Sequence, residues 1–441
     1  MTPWLMLSVL ALAPLSAPTS SPAVGLVADY DNELRGADGH VDVPLLVSQL
    51  KALGVNSYFF LVWHAPTDCD DLQVFLPAAQ KAGIDVWVYL CPPSEPPPGT
   101  PFGLDFVRWG EEIARLSLKF PNLRAWVIDD FYANSTTLTP TYIAQAQRAA
   151  HKINPALKFF PLMYFPEISS VFMEAYTPVV DGVVVAYPSG PRDIRRAARI
   201  LRGEIVERPG TEMSFPWNTP SQSGDFDEVS REVTVTPGAA RYTISFEQSD
   251  DYAGPTAGYH CKQLLVDGAV VWEQDVAGGD TDFHSVTADV SDFVRGKKTV
   301  TIALRCIDKQ GVGNFGVDIR FSDLRLHGFT PQSLSAGDKP AWQQASQGKW
   351  NLAFQPRPSA AGQFRLPYVV MTAAEQSEYK LRMPGSQGTP AEVGSHFKMA
   401  LDEMAAGNCD GVVTYCLPKQ PGDPYFDAVR SAIAGFRKQH P

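Results

Sequence analysis

The chain has 441 residues, too many for one ordinary domain and suited to a barrel of about 250 residues plus a smaller module. Hydrophobic residues make up 44% and charged residues 19%, which excludes global disorder. The formal net charge of −11 argues against nucleic acid or an anionic membrane surface as the main partner and leaves neutral ligands open.

Residues 1–23 read as a signal peptide. Trp4 to Leu15 is an apolar run of h-region length, too short to span a bilayer, and Ser21-Pro22-Ala23 offers a small-residue cleavage site. A secreted or periplasmic protein is therefore expected, with no membrane span. Eight short runs rich in Val, Ile, Phe and Tyr then follow: Val24–Ala28, Val55–Trp63, Ile84–Leu90, Leu123–Ile128, Leu157–Leu162, Gly182–Tyr187, Leu366–Thr372 and Gly411–Tyr415. Helical patterns separate them. Val41–Leu53 is amphipathic and stopped by Gly54, and Leu104–Phe120, Pro140–Ile153 and Pro191–Leu201 come next. Thr389-Pro390 opens a helix that runs to Ala406, and Asp423-Pro424 opens the last one. The first strand leads into Asp29-Tyr30-Asp31, with no glycine-rich dinucleotide turn. The fold class is α/β, a (β/α)8 barrel interrupted by an all-β sandwich between strands six and seven.

The rhythm changes inside that interruption. Glu232–Thr236, Arg241–Gln248, Lys262–Val266, Ala269–Gln274, His284–Asp289, Lys298–Cys306 and Val317–His327 alternate as short strands between turns such as Asp267-Gly268. The expected boundaries are 24–215 for the first part of the barrel, 216–330 for the sandwich and 331–441 for the second part. Residues 264–276, 286–306 and 317–328 resemble the galactose-binding-like jelly rolls that accompany glycoside hydrolases. That resemblance implies a module that binds glycan, binds calcium or braces the barrel. Tyr252, Tyr259 and Trp272 are either sugar-stacking rings or sandwich core, and Asp250 and Asp251 are either calcium ligands or turn residues. The six cysteines form no zinc spacing; they are free thiols or, for Cys261 with Cys306, a disulfide.

In a barrel, chemistry gathers at the C-terminal ends of the strands. Those positions hold Asp29, Tyr30, Asp31, Trp63, His64, Tyr89, Asp129, Asp130, Tyr132, Asn134, Tyr164, Tyr187, Glu375 and Tyr415. The set is rich in carboxylates and tyrosines, and its positive groups are His64 and Lys380 or Arg382. No phosphate loop, nucleophile elbow or HExxH motif is present, and no cofactor is called for. Carboxylates beside aromatic platforms are what glycoside hydrolysis needs, which makes a carbohydrate the expected partner.

The sharpest feature is Asp129-Asp130, which ends an apolar strand. Adjacent carboxylates push one another's pKa upward and keep one protonated near neutrality. A barrel with Asp-Asp closing strand four resembles glycoside hydrolase family 84 and its relatives, in which the substrate's own acetamido group attacks the anomeric carbon. The resemblance implies that Asp129 orients that group and Asp130 is the general acid and base. A second assignment makes Glu375 a nucleophile opposite an acid on strand four. Asp29, Asp31, Trp63, His64, Tyr89, Tyr132, Asn134, Tyr164, Tyr187 and Tyr415 are then substrate contacts. Two other classes stay open: a non-catalytic carbohydrate-binding protein, and a metal-dependent deacetylase using His64 with Asp68, Asp70 and Asp71.

Overall fold

The computed structural model describes residues 25–440 apart from 169–172, 174, 204–209, 253–255, 279–282, 314, 338, 356–364 and 384. The expected export segment lies outside the described residues. Strands β1 (Leu26–Tyr30), β2 (Ser57–Val62), β3 (Asp85–Leu90), β4 (Leu123–Ile128), β5 (Lys158–Tyr164) and β6 (Val183–Ala186) pair in sequence order. Tyr368–Ala373 and Gly411–Tyr415 follow as the seventh and eighth barrel strands, and the eighth returns to β1 with Ala28 opposite Val413. The barrel is closed and all its pairings are parallel, so no edge is left open.

The helices between the strands carry their own start and stop signals. Asp42 caps Val43–Leu53 by accepting the Leu45 N–H at 3.0 Å, and Gly54 ends it in the left-handed conformation at φ 89°. Thr389 and Glu392 form a reciprocal capping box on Pro390–Ala405. Asp68–Ala82 places three aspartates in its first turn, where the helix dipole favours them. No helix among the described residues is long and apolar enough to cross a membrane.

Alternation along each barrel strand makes two cores. Ala28, Phe59, Trp87, Ala125, Phe160, Val184, Val369 and Val413 fill the interior. Their neighbours, such as Val27, Tyr58, Phe60 and Trp126, pack outward under the helices. This parity fixes what each strand end can reach. Residues 125 and 127 point inward on β4, so Asp129 is the next inward position.

The insertion is two antiparallel sheets face to face. In one, Ala269–Asp275, His260–Val266, Thr299–Asp308, Phe226–Val235 and Phe329–Thr330 lie side by side. In the other the order is His284–Asp289, Thr243–Asp250, Phe315–His327, Gly210–Thr219 and Asn351–Gln355. Phe215, Val233, Phe246, Leu304, Ile319 and Phe321 are part of its own core, separate from the barrel's. The strands extend beyond the expected 216–330 on both sides. Gly210–Thr219 and Asn351–Gln355 pair with each other, Gly210 opposite Gln355, so the first and last long strands of the insert are neighbours.

Three alternatives left open for the insert can be compared with its strands. Cys261 and Cys306 are free thiols. Cys306 faces Lys262 in the ladder while Cys261 faces Ile307, so the two side chains leave opposite faces of the sheet. Asp250 is not a turn residue: its carboxylate is buried against the Lys262 ammonium, which also donates to Gln248 Oε1 at 2.6 Å. Trp272 and Tyr252 pack on the sandwich core, Trp272 edge-on to Phe246 with ring centroids 5.1 Å apart.

Candidate active site

The end of β4 is tied on both sides. The Asp129 N–H donates to Leu90 O and the Phe131 N–H to Leu162 O, each at 3.0 Å. Between them Asp130 adopts φ +40°, the left-handed region that a non-glycine residue rarely takes. Inward parity already belongs to Asp129; the left-handed turn lets the next residue reach the same mouth instead of the helix layer. Tyr187 at φ +57° and Cys416 at φ +58° repeat the device after β6 and the eighth strand.

The tyrosines form an arc around this pair. Tyr89 stacks on Tyr30 with centroids 4.0 Å apart, Tyr30 on Tyr415 at 5.6 Å, Tyr415 meets Tyr187 at 5.7 Å, and Tyr187 meets Tyr164 at 5.8 Å. The two ends of the arc stand beside the carboxylates: the Tyr89 hydroxyl acts on Asp129, and Asp130 acts on Tyr164. Arg382 lies over the rings of Tyr187 and Tyr164, 4.5 and 5.5 Å from their centroids. Its ion pair with Glu378 spans 3.5 Å, and Arg382 Nε and Glu378 Oε2 both lack a hydrogen-bond partner among the described residues.

Burial pushes the Asp129 carboxyl up to about 7, the charge of Asp130 adds to the shift, and the Tyr89 hydroxyl and the Asp130 N–H work against it. Two further carboxyls stand close by. Glu167 accepts the Tyr164 N–H at 2.8 Å and is raised by burial to about 8, with Asp130, Asp318 and Asp129 adding to the shift. Glu95 is raised by burial and by Asp130. The mouth thus gathers carboxyls raised toward neutrality inside a wall of phenols.

Not every expected residue joins this group. Asp29 sits at outward parity on β1, so it is buried between barrel and helices, accepting from Thr414 Oγ1 at 2.6 Å and pairing with Lys419 at 3.4 Å. Asp31 lies 3.6 Å from the same lysine. Glu375 caps the helix Gln376–Arg382, its Oε2 accepting from Ser377 and from the Glu378 N–H. Burial would raise its carboxyl, yet those bonds hold it below its ordinary value. A carboxylate so engaged is a poor nucleophile. Asn134 is a prop: it is buried, and its Nδ2 donates to Asp130 O and to Ser94 Oγ, each at 2.9 Å. Trp63 takes the inward position after β2; its Nε1 is buried without a partner among the described residues, and its ring stacks on the exposed His64 at 3.5 Å. Tyr132 stands farther along the β4 loop, 38% exposed.

The acidic cluster after β2 also has structural partners. Asp68 accepts from the Trp63 and Ala65 N–H groups and pairs with Arg35, while Asp71 is bonded to His40 and Thr67 at 2.7 and 2.8 Å. Among the described residues no group of three or more His, Cys, Asp or Glu side chains could hold a metal ion.

No known family model and no curated protein matches the sequence. Among solved structures, the chain is similar to a family GH13_31 enzyme at 10% identity and a TM-score of 0.27, over 37% of this chain and 51% of that one. It is similar to a GH18 chitinase from Pseudoalteromonas aurantia at 12% and 0.26, over 40% and 76%. It is also similar to a family 35 carbohydrate-binding module at 16% and 0.18, over 26% and 76%. The chain spans about half the length of the first of these. Likeness at this level carries no argument about activity, which has to come from the residues themselves.

Proposed function

We propose that the protein is a glycoside hydrolase acting at the mouth of its barrel, with Asp129 as the proton donor and Asp130 as the second carboxyl of the pair. The observation that carries this reading is the pair itself: two adjacent carboxyls turned to one mouth, one of them held at about 7. Asp129 gives its proton to the glycosidic oxygen as the bond to the anomeric carbon breaks. Asp130 faces the positive charge that develops on the sugar, and the tyrosines supply hydroxyls and flat faces for the ring. Asp129, now a carboxylate, takes a proton from the water that completes the hydrolysis and is reset.

The family 84 resemblance implies the opposite division of labour, with Asp129 orienting a substrate acetamido group and Asp130 giving the proton. The raised carboxyl of Asp129 favours it as the donor. Paired aryl glycosides with and without a 2-acetamido group separate the two forms, since only the substrate-assisted one requires that group. Export through the apolar run Trp4 to Leu15 belongs to the same proposal and is read by N-terminal sequencing of the mature protein.

The test of the main reading is a screen of aryl glycosides and polysaccharides with wild type, Asp129→Asn and Asp130→Asn. Each substitution is expected to lower kcat by at least about 100-fold. Activity that survives both would remove the proposal.

A further inference from the structure

The sandwich does not stand clear of the barrel. Along Phe315–His327, Val317, Ile319 and Phe321 enter the sandwich core, which turns Asp318 and Arg320 to the other face. On the adjoining strand Met213 and Phe215 point in and Glu212 points out, opposite Arg320 in the ladder. An outward face of this kind ordinarily meets bulk water. Here it meets the loops after β4 and β5. A cavity between the two bodies is lined by Phe165, Ile168 and Arg196 from the barrel and, among others, by Asp251, Asp318 and Arg320 from the sandwich. Tyr132 lies within electrostatic reach of Glu212, Arg320 and Asp318, and Glu167 within reach of both Asp130 and Asp318. One polar surface therefore runs from the catalytic pair across Glu167 and Tyr132 to the sandwich.

Resting on the reading above, we infer that this outward sandwich face supplies the distal sugar subsites, so that the substrate is a neutral glycan longer than a disaccharide, laid from the tyrosine arc over Tyr132 onto Arg320 and Glu212. Tyr132 is a large aromatic side chain that is 38% exposed at this surface. Arg320 and Glu212 hold each other at 2.9 Å while keeping about a fifth of each side chain exposed. A guanidinium paired with a carboxylate offers planar donors and acceptors to hydroxyls without a net charge. That balance suits a neutral chain better than a uronic acid polymer.

The experiment compares kcat/KM on an aryl monoglycoside with kcat/KM on oligosaccharides of the same sugar and increasing length. In wild type the value is expected to rise with length. In Tyr132→Ala, and in Arg320→Met combined with Glu212→Gln so that the pair is removed together, the ratio of long to short is expected to fall about tenfold. Tyr132→Phe, which keeps the ring, is expected to keep the ratio. Unchanged ratios in all variants would overturn the inference while leaving the hydrolase reading intact. Calorimetric binding of the same oligosaccharides to Asp130→Asn separates the two from the other side. Affinity that grows with length and is lost on adding Tyr132→Ala supports the sandwich subsites even if no hydrolysis is found. Affinity indifferent to length and to Tyr132 counts against them.

Discussion

Burial and a charged neighbour act together on Asp129, and the phenol of Tyr89 acts against them. Removing that hydroxyl raises the Asp129 pKa further. In Tyr89→Phe the alkaline limb of kcat is therefore expected to move from about 7 to higher pH, because the donor keeps its proton longer; a limb that stays or falls would deny Asp129 the donor role. Asp130 has a cost of its own, a left-handed backbone beside a like charge. Asn tolerates that conformation and carries no charge, so Asp130→Asn is expected to be more stable than wild type by about 1 kcal/mol in denaturant melts while losing activity. Strand-end reasoning reached Asp129, Asp130 and the tyrosines, because position after a barrel strand is written in the sequence. It misplaced Asp29, which differs from Tyr30 only by parity. It missed Glu95 and Glu167, which lie several residues past their strands and arrive through loop folding.

At the scale of elements, local chemistry decides what a residue is for. Glu375 has the spacing of a strand-seven nucleophile, yet Gln376–Arg382 forms a short helix and takes that carboxylate as its cap. The helix was not legible as such, since seven residues carry too little periodicity to stand out from a loop. The sandwich strands between Phe226 and His327 were legible from alternation, whereas Gly210–Thr219 and Asn351–Gln355 were not, because each is defined by the other across the whole insert. Within that insert Lys262 and Asp250 are both buried, with 2% of each side chain exposed. Lys262→Met leaves an uncompensated carboxylate and is expected to destabilise the protein by about 3–5 kcal/mol in denaturant titrations. Adding Asp250→Asn is expected to recover most of that loss, and no recovery would mean the pair is not coupled.

Across the whole molecule, carboxyls shifted upward set the pH response. Burial first, then like charges, hold Asp129 at about 7, Asp318 at about 6 and Glu167 at about 8, and burial with the charge of Asp68 raises Glu33 to about 8 against its bond from the Leu61 N–H and the charge of Lys419. The folded chain therefore binds more protons than the unfolded chain between roughly pH 4 and 8, and stability falls as pH rises through that window. Exposed Asp289, lowered to about 2 by bonds from Ser291 and Arg241, acts the other way below it. Calorimetry is expected to show a higher Tm at pH 5 than at pH 8, by at least about 3 °C, and Glu33→Gln is expected to flatten the slope. A Tm that climbs toward pH 8 would contradict these shifts. Chain order at this scale was legible too, with six barrel strands before the insert and two after it. That split makes Val183 and Tyr368 neighbours in the barrel although the whole sandwich lies between them. The pairing of Gly210 with Gln355 bears on how this is achieved. Once the sandwich has folded, its two ends are held side by side, and the barrel closes as though its sixth and seventh units were joined by a short loop. The entropy of bringing distant segments together is then met inside the insert, before the barrel has to form its last two pairings.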